Sequence, residues 1–461
     1  MLYTQINVRI FTQEEREGTY TPFDKECKTP FLDAFEKHSD TEPYVVCLAH
    51  AIVDSWLCTE PVIHDGEIIV GEPRPRRLFW EHFAWGIEPH ADISEYEANG
   101  YESVEDLKKR MEKLSEKMSP MRYSHVRNCE REFFGEENLD KVGMLWGAGA
   151  YQGHTVPNYR RLLSDGIGKT LRYVKECAAQ TDDSDKTDFY RALEIILEGF
   201  SSWVRIYADY AEKAAAAEKD SVRADELSKI AANCRAVAED APVTFFQAAQ
   251  LMWFYCLWDC VDCVGRLDQY MFPFVLSSRS GDVFDEDDII FALMYKMWEF
   301  GVHNITVSGS SPDGKDETND LTYKLLQALQ HIHSTHPRMS VRIHKKTPKE
   351  LWKQITSMWA SGMSDPTVVS DTVVPPALIG YGVTPEDAYD YTMLGCQEIE
   401  IPGKSNFGCE DGSFNIAKVL EYTLNNGKCR KTGAQMSIET GYLHNFKSFD
   451  ELWDAYTKQL S

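Results

Sequence analysis

A chain of 461 residues, 43% hydrophobic and 26% charged, has the make-up of an ordinary globular protein and the length for two or three domains. Its 48 basic against 73 acidic side chains leave a net charge of −25, which argues against binding along a nucleic-acid backbone or docking on anionic membranes. The first residues hold no apolar run of signal-peptide length and no segment approaches a membrane span, so a cytoplasmic address is expected, with the twelve cysteines reduced.

Residues 1 to about 100 mix short apolar runs with turn signals, and "PVIHDGEIIVGEPRPRR" predicts one or two strands turned at Asp65-Gly66. From about 102 to 262 the periodicity is helical. "SVEDLKKRMEKLSEKM" opens with Ser103 and Asp106 at capping-box spacing, and long helices are predicted for "DFYRALEIILEGFSSWVRIYADYAEKAAAAEK" and "PVTFFQAAQLMWFYCLWDCVDCV". After 285, helical segments ("DDIIFALMYKMWEFG", "DLTYKLLQALQHIH") alternate with strand-like runs ("NITVSG", "RMSVRIH", "PTVVSD"). That alternation predicts an α/β fold with largely parallel strands.

Several groups could carry chemistry. Cys256, Cys260 and Cys263 stand at the C-x3-C-x2-C spacing of an iron–sulfur loop, but they end an apolar helical run and read as core residues on one helix face. His331, His333 and His336 lack a carboxylate or cysteine at a metal-binding interval and read as the end of a helix. His154, in the glycine-rich "GAGAYQGHTVPNYRRLL" just before a helix, can face a cavity. In "YTMLGCQEIEIPGK", Cys396 follows Gly395 and precedes Glu398, which in an extended chain would lie on the same side. No histidine or lysine is placed to hold this thiol as thiolate, and Glu398 and Glu400 oppose its ionisation. An ordinary cysteine nucleophile fits poorly; a neutral thiol that gives up a hydrogen atom fits better.

"GCQEIEIPGKSN", followed by "SFNIAKVLEYTLNNG", resembles the active-site segment of the glycyl radical enzymes, the pyruvate formate-lyase family, whose usual form is Gly-Cys-Val-Glu with Pro-Gly-Lys downstream. "DGEIIVGEPRPR", "GHTVPNYRRLLSDGI", "VGRLDQYMFPF", "HPRMSVRIH" and "GVTPEDAYDYTMLGC" resemble further family segments in family order, from about residue 60 onward. The resemblance implies Cys396 as the thiyl residue, Glu398 as general base, and His154 and Glu410 as substrate-binding groups. No bound cofactor is implied. A glycyl radical, installed by a radical S-adenosylmethionine activating enzyme, would sit on a C-terminal glycine in an Arg-Val-x-Gly-Tyr motif, which these residues lack.

The implied fold is the N-terminal part of the family's ten-stranded α/β barrel, in a largely helical surround. The whole of 1–461 would be a pyruvate formate-lyase-type domain: about 1–280 mainly helical, about 281–461 the first half-barrel and the thiyl-cysteine loop, the glycyl radical domain absent. Such a half-barrel alone is expected to be poorly stable, and the complete protein to be a homodimer. Gly395 stands where pyruvate formate-lyase proper has a second cysteine, which disfavours acyl transfer. Glu398, with Glu410 where the diol dehydratases carry an aspartate, points to elimination from a small polyol-like substrate. Arylacetate-type decarboxylation, a formate acetyltransferase-like activity, and an inactive fragment or binding module are the alternatives. Gln397 departs from the usual valine.

Overall fold

The computed structural model describes residues 30–58, 61–72, 106, 109, 145–147, 155–258, 263–278, 281–334, 336–395, 397–405 and 412–460. They fall into two compact units, one with the described residues up to 72 and from 155 to 405, the other with 106, 109, 145–147 and 412–460.

The order begins with α1 (Pro30–His38), α2 (Tyr44–Leu57), β1 (Leu145–Gly147), α3 (Tyr159–Ala178), α4 (Ser184–Ala217), α5 (Ser221–Val237) and α6 (Phe245–Trp258). It continues with β2 (Cys263–Arg266), α7 (Leu267–Ser278), α8 (Glu286–Glu299), β3 (Asn304–Ser308), α9 (Asp320–Ile332), β4 (Arg338–Ile343), α10 (Lys349–Ala360) and β5 (Thr367–Ser370). Then come α11 (Val374–Gly380), α12 (Pro385–Tyr389), β6 (Thr392–Leu394), β7 (Glu398–Glu400), β8 (Gly412–Phe414), α13 (Ile416–Leu424) and α14 (Phe449–Leu460). In the second unit β1 pairs antiparallel with β8.

The helical surround forms where periodicity and caps agree. Asp183 caps α4 by accepting from the Asp185 and Lys186 amides at 3.0 and 3.2 Å, and Asp220 caps α5 in the same way. Trp203 on α4 meets the rings of Trp56 and Phe254, each 5.0 Å away and edge-on. Gly199 lets α2 approach: a Cβ there would lie 2.4 Å from a methyl of Val53.

Residues 61–72 form no strand, although Gly66 makes the expected turn with φ 77°. Ile68, Ile69 and Val70 are buried, but helix side chains rather than a neighbouring strand satisfy the backbone: Gln250 bonds both the amide and carbonyl of Val70 (2.9 and 2.7 Å), and Trp253 donates to Gly71 O (2.9 Å). The same segment holds an ionic cluster. His64 bonds Glu72, buried Lys296 pairs with Glu67, and Arg223 donates to the carbonyls of His64 (3.0 Å) and Glu67 (2.9 Å). Burial opposes the imidazolium, but the bond to Glu72 and the charges of Glu67 and Glu72 prevail and raise the pKa of His64.

A raised histidine contributes stability that is fully present below its unfolded pKa of about 6.5 and is lost as pH climbs through the higher folded value. Glu72→Gln should therefore lower the thermal midpoint more at pH 6 than at pH 8.5; an equal drop at both would show that the charge of His64 contributes nothing.

Strands β2, β3, β4 and β5 form one parallel sheet in sequence order, with helical crossovers between them. All of β3 is buried. Ile305 and Val307 face the helices with Met339 and Val341 of β4, while Asn304, Thr306 and Ser308, and Ser340 and Arg342, fall on the other face. That polar face carries the β6–β7 hairpin: Thr392 Oγ1 donates to Thr306 Oγ1 at 2.7 Å, and the Met393 amide donates to the same oxygen at 2.9 Å.

Two sequence expectations need correction or restriction here. The cysteine triplet is not one helix face, because α6 ends at Trp258 and Cys263 opens β2; Cys256 and Cys263 are both buried, and Cys260 lies outside the described residues. The helix expected after Ser103 also lies outside them, except that Asp106 and Lys109 are helical. His331 is in the last turn of α9, and His333 closes it in the left-handed conformation. No described helix is long and apolar enough to cross a membrane.

Candidate active site

Strands β6 and β7 pair antiparallel, with Thr392 opposite Glu400, Met393 opposite Ile399 and Leu394 opposite Glu398. A three-residue connection joins them. Gly395 has φ 42°, Gln397 has φ 105°, and the Gln397 amide closes the turn on Leu394 O at 2.9 Å. The Gly395 amide donates to Cys263 Sγ at 3.2 Å, which ties the turn to β2.

Of the four residues named from sequence, the described residues include only Glu398; His154, Cys396 and Glu410 lie outside them. The positive φ of Gln397 corrects the extended-chain premise: a shared side at i and i+2 needs strand geometry that residue 397 does not have. Glu398 instead shares a hairpin face with Leu394 and Thr392, the face turned to the sheet. Its Oε2 is buried without a hydrogen-bond partner among the described residues. Two residues on, Glu400 is fully buried and accepts from Ser405 Oγ.

Two buried arginines hold the chain where it enters β6. Arg266 at the end of β2 donates to Tyr389 O (3.1 Å), Asp390 (3.2 Å) and Ser308 O (3.2 Å), and pairs with Glu317. Arg342 on β4 donates to Tyr389 O (2.9 Å) and Tyr391 O (3.0 Å), grips Asp371 through two bonds (2.8 and 2.9 Å), and stacks 4.0 Å from the Tyr391 ring centre. The Tyr391 hydroxyl and the Ser310 amide also donate to Asp371, at 2.8 and 2.7 Å. Burial would raise the pKa of Asp371, but Arg342 overrides it and holds the carboxyl below its usual range; burial pushes the Tyr391 phenol up. Gly309 makes room for the guanidinium, since a Cβ there would lie 2.8 Å from Arg342 Nε.

A second connection links family-like segments far apart in sequence. Val156 packs in one cluster with Cys263 and Leu394, and its carbonyl accepts from the Gly403 amide at 2.7 Å. Val156 stands two positions after His154, and Leu394 two before Cys396. Sequence reading missed the supporting residues Arg266, Asn304, Thr306, Ser340 and Arg342, and saw Cys263 only as a core residue; the available signal was an arginine inside each of the family-like segments "VGRLDQYMFPF" and "HPRMSVRIH". Among the described residues, the one group spaced like metal ligands is His64, Glu67 and Glu72, where the ammonium of Lys296 already pairs with Glu67.

The chain is 28% identical over 474 aligned positions to (2S)-3-sulfopropanediol dehydratase of Klebsiella oxytoca, which covers 93% of this chain and 57% of the relative. It is 30% identical over 338 positions to isethionate sulfite-lyase of Bilophila wadsworthia, covering 66% of this chain and 41% of that one. The structure resembles the glycerol-bound B12-independent glycerol dehydratase of Clostridium butyricum, with a TM-score of 0.76 and 25% identity, over 94% of this chain and 59% of the other. The chain thus spans somewhat over half the length of these two dehydratases. The parallel sheet β2–β5 with the hairpin on its polar face is therefore part of the glycyl radical enzyme barrel, in an α/β fold with prominent helices. Since the Pyruvate formate lyase-like family model also matches residues 28–461, this chain belongs to that family, whose members related to it are glycyl radical enzymes.

Proposed function

We propose that residues 1–461 carry the thiyl part of a glycyl radical carbon–oxygen lyase that eliminates water, or another group, from a small polyol-like substrate. The observation that carries this reading is the Glu398 carboxylate: one oxygen is buried and has no hydrogen-bond partner among the described residues, on a hairpin fixed by two buried arginines, two positions from Cys396. A base waiting for a substrate proton has this form. The resting radical would sit on a glycine outside residues 1–461, in cis or on another chain, and be installed by a radical S-adenosylmethionine activase; it supplies the one-electron oxidant that takes the hydrogen atom of the thiol. The complete protein would be a cytoplasmic homodimer, and His154 and Glu410 would hold the substrate hydroxyls.

The roles of the side chains follow from the chemistry. Cys396 Sγ takes a hydrogen atom from a carbinol carbon. Glu398 accepts the proton of the hydroxyl on that carbon, which the adjacent radical has made acidic. The carbon–oxygen bond on the neighbouring carbon then breaks, its electron pair leaving with hydroxide, which becomes water on protonation. The carbonyl-stabilised carbon radical recovers a hydrogen atom from the Cys396 thiol. Homolysis at an unactivated carbon creates no charge, so acidic neighbours of the thiol do no harm.

The test is anaerobic activation of the complete protein with its activase, followed by incubation with glycerol or propane-1,2-diol. An organic-radical resonance and a carbonyl product are expected; no resonance, or a resonance with no product from any polyol, overturns the reading.

A further inference from the structure

The layer of side chains beneath the hairpin leaves hydrogen-bonding groups unspent. Ser340 Oγ lies 3.1 Å from Asn304 Oδ1, 3.2 Å from Thr367 Oγ1 and 3.3 Å from Gln397 Oε1. A serine hydroxyl has one proton and cannot donate to both amide oxygens. Turning either amide round only exchanges the deficit, leaving its carbonyl without a donor. Asn304 Nδ2 and Gln397 Nε2 have no partner among the described residues, and Asn304 is fully buried. Buried amide groups left this way are costly, and a site that keeps several of them together is built for something that bonds to them.

None of Asn304, Ser340, Thr367 and Gln397 carries a charge. The nearest cation along β4, Arg342, is fully engaged by Asp371 and two carbonyls, so it has nothing left for an anionic ligand. Neutral amide and hydroxyl groups with spare donors match a hydroxyl or carbonyl oxygen and cannot neutralise a buried sulfonate or carboxylate. Gln397 stands between Cys396 and Glu398, so the layer adjoins the segment where the reaction is placed.

We infer that Asn304, Ser340, Thr367 and Gln397 form a subsite for a neutral, hydroxyl-bearing end of the substrate, with Gln397 the residue that selects a polyol over an anionic homologue. This inference rests on the lyase reading above and adds to it the residues that tell a neutral substrate from an anionic one.

The test measures binding without any radical. Glycerol and 2-hydroxyethanesulfonate are titrated into the complete, unactivated protein as wild type, Gln397→Met and Ser340→Ala, followed by ligand-observed NMR, with circular dichroism checking the fold. Methionine keeps the length of glutamine and avoids a branched carbon at a positive φ. Wild type should bind glycerol more tightly than the sulfonate. Each substitution should weaken glycerol about tenfold, the loss of one hydrogen bond or slightly more, and leave the sulfonate unchanged. Glycerol binding equal in wild type and Gln397→Met, no binding to wild type, or a preference for the sulfonate overturns the subsite. The two readings fail separately. Gln397-dependent binding without turnover after activation sinks the lyase and spares the subsite, whereas turnover of glycerol by Gln397→Met with an unchanged KM does the reverse.

Discussion

Cys396→Ala in the radical-bearing enzyme is expected to abolish product formation while leaving the glycyl radical resonance intact, and Glu398→Gln to lower kcat by about a hundred- to ten-thousand-fold. The two losses should differ in kind. Without the thiol no hydrogen atom leaves the substrate. With glutamine at 398 the hydrogen atom can still leave and return, because the thiol exchanges with solvent, but the hydroxyl proton has no acceptor. In deuterated water, recovered substrate should therefore gain deuterium with Glu398→Gln and none with Cys396→Ala. Unlabelled substrate in both would place Glu398 in some role other than proton acceptance. Full turnover in Cys396→Ala would remove the thiyl mechanism altogether.

The second large effect belongs to the residues that hold the hairpin. Arg342→Met should destabilise the chain by about 3–5 kcal/mol, because it leaves Asp371 buried and charged without its partner. Arg342 is fully buried and Asp371 nearly so, which makes solvent a poor substitute for either. The double variant Arg342→Met/Asp371→Leu removes both charges and should recover most of the loss. Urea midpoints for the two singles and the double give the coupling directly, and hydrogen exchange across 391–400 locates it; strictly additive midpoints would mean that the pair does not act as a unit. The sign with pH follows from Asp371. Its folded pKa is depressed, so the pair's contribution is complete above the unfolded aspartate value and is lost as pH falls through the folded one. The gap between wild type and Arg342→Met should close in acid.

Much of the fold was legible in order along the chain. The helices over 184–217, 286–299 and 320–332, and the strands over 304–308, 338–343 and 367–370, stand where periodicity and alternation predicted them. Strand β2 was hidden, because "CVGR" directly follows an apolar helix and too few residues intervene for a change of period to register. Residues 61–72 misled for the opposite reason: an apolar run that looks like a strand takes its hydrogen bonds from Gln250 and Trp253, more than 170 positions away.

The sequence by itself determined the family, the parallel α/β order and the Cys-x-Glu motif, because a motif and a period are local. It also placed strand-like runs at "NITVSG" and "RMSVRIH", within which alternation puts every second residue on one side. Alternation says which residues face together, but not what covers them, and polar residues at such spacing ordinarily meet water. Only the tertiary structure decided that the hairpin covers this face. That decision converts serines and an asparagine that would otherwise meet water into a buried polar layer, turns two arginines into the anchors of the segment entering β6, and leaves one oxygen of Glu398 without a partner among the described residues. Each depends on contacts between residues tens of positions apart, and no local pattern encodes those.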